Sequence, residues 1–167
     1  MNPPTGQARG LRIGHGFDTH RLEAGDGVQL GGVFIPCAYR IVAHSDGDAL
    51  IHALCDALLG AIAAGDIGKL FPDHDPQYRG IDSRRLLAEV MRRVNLAGYR
   101  VVNADLSLIA QAPRVSAHTA AMCEQLAQGL DVALDCVNVK ATTNEGMDAI
   151  GEKQGLAAHA VVLLEAR

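Results

Sequence analysis

Tryptophan is absent from the 167 residues, and aromatic side chains make up only 4% of them. The core must therefore be aliphatic, and 49% hydrophobic content in a chain of this length suffices to bury one such core in one domain. Lys and Arg nowhere cluster, and the formal charge is -4, which removes any electrostatic case for binding a nucleic-acid backbone or an anionic membrane. A polyanionic ligand would need local help from a metal. The four cysteines, Cys37, Cys55, Cys123 and Cys136, form no CxxC pair, so reduced thiols of a cytoplasmic protein are expected rather than a disulfide framework. No stretch approaches the roughly 20 apolar residues of a membrane span, and residues 1–10, MNPPTGQARG, lack the apolar run of a secretory signal. Those ten residues are expected to be a disordered leader before a single domain over 11–167.

What is present concentrates between His44 and Asp75, HSDGDALIHALCDALLGAIAAGDIGKLFPDHD. Before it, Leu11 to His20 alternates with period two, setting Leu11, Ile13, His15 and Phe17 on one side of a strand and Gly14, Gly16, Asp18 and His20 on the other. Gly31-Gly32 between apolar arms predicts a hairpin over Gln29 to Pro36. Ser45 or Asp46 can cap a helix running to about Ala64, with Asp48 in its first turn and Leu50, Leu54, Leu58 and Ile62 as its core stripe. Asp48, His52 and Asp56 then form a polar row away from that stripe.

Further on, Asp82 or Ser83 caps a helix packed through Leu86, Leu87, Val90, Met91 and Val94 and ended by Gly98. Val102, Ala104, Leu106, Leu108 and Ala110 make the buried side of a strand, Ala117 to Gln128 a helix terminated by Gly129, and Val137, Val139 and Ala141 the inward side of another strand. LAAHAVVLL, Leu156 to Leu164, is apolar on both faces and belongs in the middle of a sheet or between a sheet and another subunit. The expected class is α/β (α+β), with helices packed on one face.

Asp18 and His20 lie two apart on one strand face, near enough to share one ion. A third ligand must come from elsewhere. His52 suits best, facing away from its helix core, while Cys55, one turn on, sits among Leu54 and Leu58 as a buried thiol. Two His and one carboxylate would leave one position of a tetrahedral Zn2+ open, as catalytic zinc requires.

From Leu11 to the carboxyl terminus the chain resembles the 2-C-methyl-D-erythritol 2,4-cyclodiphosphate synthase family. The resemblance is carried by RIGHGFDTHRL at 12–22, the stretch 44–76, DSRRLL at 82–87, IAQAPR at 109–114 and VNVKATTNEG at 137–146. It implies a tethered phosphoryl transfer, in which the 2-phosphate of a diphosphocytidyl polyol attacks its own β-phosphorus and expels CMP. It also implies Zn2+ on Asp18, His20 and His52, and Mg2+ or Mn2+ on Glu145. By the same resemblance His44, Ser45 and Thr143 steady phosphate, with His44 and Thr143 catalytic. Asp66 and Gly68 touch ribose, Phe71, Asp73 and Asp75 cover the methylerythritol portion, and Ala110, Pro113, Arg114, Ala141 and Thr142 hold cytosine. Family members are homotrimers with a ferredoxin-like layer and active sites between subunits.

The pattern departs from the family's in GMDAIGEKQG, 146–155, where Ala149 and Glu152 replace a usual aromatic and arginine lining a cavity on the trimer axis. That change argues against an isoprenoid diphosphate there in the usual way, although Lys153 offers charge nearby. His74, His118 and His159 receive no role. Two other classes fit some of the same residues: a zinc-dependent phosphoesterase using metal-bound water, and a noncatalytic nucleotide-binding module.

Overall fold

The computed structural model describes residues 10–72 and 75–167, so the expected leader lies outside the described residues except for Gly10. Thirteen residues alternating apolar and small or polar form β1 (Arg12–Ala24), followed by the hairpin β2 (Gly27–Leu30) and β3 (Val33–Pro36). Gly31 and Gly32 turn the hairpin with φ of 57° and 77°, a conformation that glycine adopts without steric cost. Then come β4 (Tyr39–Val42), α1 (Ala49–Ala61), the short α2 (Ile67–Leu70), α3 (Ser83–Leu96) and β5 (Tyr99–Ile109). The chain continues through α4 (Thr119–Leu130), β6 (Val137–Thr142), the single-turn α5 (Asp148–Gly151) and β7 (Gly155–Ala166).

The main sheet has the order β4-β1-β7-β5-β6, with β5 and β6 parallel and the other neighbours antiparallel. β7 is thus paired on both edges, as its two apolar faces require. Ala158, Ala160 and Val162 are fully buried on one face, whereas Val161 on the other is 39% exposed. Register places Gly14 and Gly16 of β1 opposite Val162 and Ala160, so the glycine side of β1 faces the helices. A Cβ on Gly14 or Gly16 would lie 1.8 Å from the carbonyl oxygen of Ala57 or Ala53, so the glycines let α1 lie directly on β1. The apolar side of β1 is the outward one: Ile13 is 73% exposed and Phe17 49%.

Several expectations change. Asp48 is itself the N-cap of α1, not a first-turn acid, and the helix ends at Ala61. The Asp48 carboxylate accepts from the amides of Ile51 at 3.1 Å, Gly31 at 2.8 Å and Gly32 at 2.7 Å, tying the helix start to the hairpin turn. Burial pushes its carboxyl up while these three donors draw it down, and burial prevails. The polar row lies within the fold, with Asp48 and His52 buried and Asp56 half-buried. Gly129 does not end α4. The helix continues to Leu130, with Asp131 as a left-handed cap (φ 56°), and a Cβ at 129 would lie 2.8 Å from the Leu87 side chain of α3. A bulge between Val101 and Asn103 shifts the register of β5, so Val101 rather than Val102 turns inward at that end. Ala141, next to the end of β6 at Thr142, is exposed, unlike Val137 and Val139. β4, α2 and α5 are additional to the expected order.

Candidate functional site

Because α1 rides on Gly14 and Gly16, its amino-terminal half runs beside the next helix-facing residues of β1, Asp18 and His20. His52 Nδ1 stands 3.1 Å from Asp18 Oδ2, and His20 Nε2 stands 3.4 Å from the same oxygen. One ligand atom from each of the three residues lies within 4.8 Å of the others. Two ligands of a tetrahedral zinc are about 3.3 Å apart at ordinary bond lengths, so these spacings suit one ion.

The hydrogen bonding of His20 points the same way. Its Nδ1 lies 2.7 Å from the Thr19 carbonyl, which can only accept, so Nδ1 carries a hydrogen and, on a neutral ring, Nε2 presents a lone pair. That Nε2 is buried and has no hydrogen-bond partner among the described residues. A lone pair aimed at a carboxylate oxygen calls for a cation between them. At His52 burial, the strongest influence, opposes the charged ring, but the Asp18 hydrogen bond and the charges of Asp18, Asp48 and Asp46 together raise its pKa above 6.5. His52 Nε2 faces Ser83 Oγ at 2.9 Å and Ser45 Oγ at 3.2 Å.

The three residues open into a cavity of about 360 Å3 that is also lined by His44, Ser45, Gly68 and Phe71. Asp56 accepts from the amide of Ile67 at 2.8 Å, which fixes α2 and hence Gly68 at the cavity wall. Asp66 caps α2 by accepting from Lys69 N at 2.9 Å and lies outside this lining. Asp73 and His74 lie outside the described residues, and Asp75 leads into the short turn Pro76–Tyr78.

The remaining expected residues gather separately, at the ends of β5 and β6. Ala110 N donates to Thr142 O at 3.0 Å, and Gly146 N donates to Gln111 Oε1 at 3.2 Å, which binds the 110–116 loop to the 142–146 turn. Pro113 is buried there, whereas Arg114, Ala141, Thr142, Thr143 and Glu145 are exposed. Thr143 Oγ donates to Glu145 Oε1 at 3.0 Å. Register through Leu156, Ala157 and Ile109 puts this group at the same end of the sheet as His20, with β7 and β5 in between. Three strand spacings, about 14 Å, separate β1 from β6, so the two groups form separate clusters.

Sequence reasoning missed Ser83 as a site residue. Fully buried, it meets His52 at the start of α3, where Asp82 takes the capping role by accepting from Arg84 N at 2.9 Å. Its only signal was the pair of adjacent caps, one of which had to be spare.

The YgbB family model matches residues 11–165. The chain is 59% identical over 155 residues to 2-C-methyl-D-erythritol 2,4-cyclodiphosphate synthase of Thioalkalivibrio sulfidiphilus, covering 93% of this chain and 97% of that one. It is 58% identical over 157 residues to the Methylococcus capsulatus enzyme of the same name, covering 94% and 99%. Among solved structures it superposes on the bifunctional IspDF of Campylobacter jejuni with a TM-score of 0.90 and 38% identity, over 94% of this chain but only 42% of that larger one. The CDP complex of IspF from Plasmodium falciparum matches with a TM-score of 0.85 and 31% identity, over 96% of this chain and 99% of that one. The chain belongs to the YgbB family, the 2-C-methyl-D-erythritol 2,4-cyclodiphosphate synthases.

Proposed function

We propose that the chain converts 4-diphosphocytidyl-2-C-methyl-D-erythritol 2-phosphate into 2-C-methyl-D-erythritol 2,4-cyclodiphosphate and CMP, in the cytoplasm and in a metal-dependent way. The observation that carries this is the convergence of Asp18, His20 and His52 on one point in a cavity of a chain from this family. The nucleophile and the leaving group belong to one molecule, so the protein's tasks are to fold the substrate on itself and to neutralise phosphoryl oxygens.

Asp18, His20 and His52 would hold Zn2+, and Glu145 would hold Mg2+ or Mn2+. When bound, these ions polarise the phosphoryl oxygens and orient the diphosphate. His44 and Ser45 on one side and Thr143 on the other offer donors to the phosphates, aimed where charge gathers as the 2-phosphate oxygen bonds to the β-phosphorus and the bond to CMP breaks. Asp66, Gly68, Phe71, Asp73 and Asp75 would bound the ribose and polyol. Ala110, Pro113, Arg114, Ala141 and Thr142 would read cytosine through backbone groups and exclude water.

The separation of the two groups within one chain supports a homotrimer of ferredoxin-like layers, in which the zinc half of one subunit meets the Glu145 half of its neighbour. The exposed apolar side of β1 and β7, with Ile13, Phe17 and Val161, gives such an assembly a surface to bury. The test is CMP release from the diphosphocytidyl substrate with and without chelator. Chelator-sensitive release together with the cyclic product supports the proposal. Turnover of simple aryl phosphates without cyclisation would instead favour a zinc phosphoesterase.

A further inference from the structure

We propose that Asp56, which does not itself line the cavity, is a positioning residue for the substrate: it holds the wall formed by Ile67, Gly68 and Phe71 at a set height beside the triad of Asp18, His20 and His52. That wall has little else to hold it. α2 is four residues long with none of them buried, and the chain reaches it from the end of α1 through Ala63 and Gly65 in left-handed conformations (φ 57° and 85°). Asp56 Oδ1 closes this excursion by accepting from the Ile67 amide at 2.8 Å, the first amide of α2 and one that no carbonyl of its own helix can reach. Asp66 caps the same turn at the Lys69 amide, so two carboxylates share its orphan donors.

The rest of the wall follows from Ile67. Its carbonyl accepts from Phe71 N at 2.7 Å, and the Phe71 ring meets Tyr78 edge-on with centroids 5.3 Å apart, so the tether is passed on to two rings of the cavity. Asp56 lies one helical turn beyond His52 on α1, which puts a triad residue and the tether on one face of one rigid element. The position asks for an acceptor rather than a charge. Burial most of all, helped by the charges of Asp66 and Asp18, pushes the Asp56 carboxyl up despite the Ile67 hydrogen bond and the pull of His52. Negative charge is thus disfavoured where this oxygen stands, while the hydrogen bond it accepts is kept.

The inference rests on the proposed function, in which this wall bounds the ribose. Without the tether the wall stands in its binding position only part of the time, so apparent affinity falls by that fraction while the step in the bound complex is untouched. In Asp56→Ala the dissociation constant for CDP, measured by calorimetry, and KM for CMP release should rise together by about tenfold, with kcat and zinc content unchanged. Asp56→Asn, whose side-chain oxygen still accepts, should restore both constants. Hydrogen exchange should find the Ile67 amide protected in the unaltered chain and in Asp56→Asn but fast in Asp56→Ala. An unprotected Ile67 amide in the unaltered chain overturns the proposal whether or not the alanine variant folds. So do unchanged affinity in Asp56→Ala, a fall in kcat alone, and an Asp56→Asn protein as weak as Asp56→Ala. If the unaltered chain neither binds CDP nor releases CMP, the proposed function fails, while the Ile67 exchange pattern still decides the tether.

Discussion

Gly16 of β1 lies directly under Ala53 of α1, so close that any Cβ at 16 would sit 1.8 Å from the Ala53 carbonyl oxygen. The obstacle is helix backbone, which cannot rotate aside as a side chain can. Gly16→Ala should therefore lift α1 from the sheet and carry His52 away from Asp18, two residues along β1. The expected loss of stability is at least the roughly 1–3 kcal/mol typical of overpacking. Zinc content should fall with it, because the 3.1 Å spacing depends on the same close approach. Urea unfolding and metal analysis of the purified variant check both. Full zinc occupancy with unchanged stability would show that the glycine approach does not position the site.

A second device fixes the start of α1. Asp48 receives three amide hydrogens on two oxygens, and Asn can accept on only one atom while aiming its own hydrogens at a donor. Asp48→Asn should cost about 1–3 kcal/mol for the unsatisfied buried groups. Hydrogen exchange should reveal the loss first at the amides of Gly31 and Gly32, since the hairpin turn and the helix cap share this one carboxylate.

The raised pKa of His52 has a signed consequence for the metal-free protein. Burial alone would lower it, but Asp18, Asp48 and Asp46 outweigh burial, so the folded state holds the His52 proton more tightly than the unfolded chain does. The stabilisation from this group is then fully present below pH 6.5 and is lost as pH rises through the higher folded value. In chelator, urea unfolding at a series of pH values rising from 6.5 should show stability declining, and His52→Gln should flatten the decline. An equal slope in the variant would remove His52 as its source.

Much of the architecture was legible because it is written in short-range patterns. The period-two alternation from Leu11 to His20 put Asp18 and His20 on one face, and Gly31-Gly32 marked its turn. The two-sided apolar character of LAAHAVVLL marked the central strand, β7. Where sequence failed, a tertiary contact decided. Gly129 looks like a helix end, but Leu87 of another helix demands a small residue there. Four residues of β4, YRIV, carry no pattern of their own and become a strand only because residues 21–24 of β1 are available to pair with them. Within the site, spacing favoured His52 as the third ligand but could not exclude Cys55. Cys55 proves to be wholly buried, its thiol pushed well up by burial and by the charges of Asp56 and Asp48. The roles of Glu145 and the 110–116 loop came from family likeness alone, since nothing local separates Glu145 from any exposed loop acid.

The distance between the two halves of the site allows a direct test of their sharing. With β1 and β6 separated by two strands, the proposed trimer pairs Asp18, His20 and His52 of one chain with Glu145 of its neighbour. If neighbouring subunits supply the halves, His52→Ala and Glu145→Ala should each be inactive alone yet complement each other when coexpressed. In randomly mixed assemblies, a site is intact when its zinc half comes from the Glu145→Ala chain and its Glu145 half from the His52→Ala chain. That holds for about a quarter of the sites, so about a quarter of the unaltered activity should return. Differently tagged chains, co-purified through both tags, establish that mixing has occurred. Activity returning only in the doubly tagged fraction would place each active site between subunits, whereas a silent mixed fraction would show that the two halves do not meet across chains.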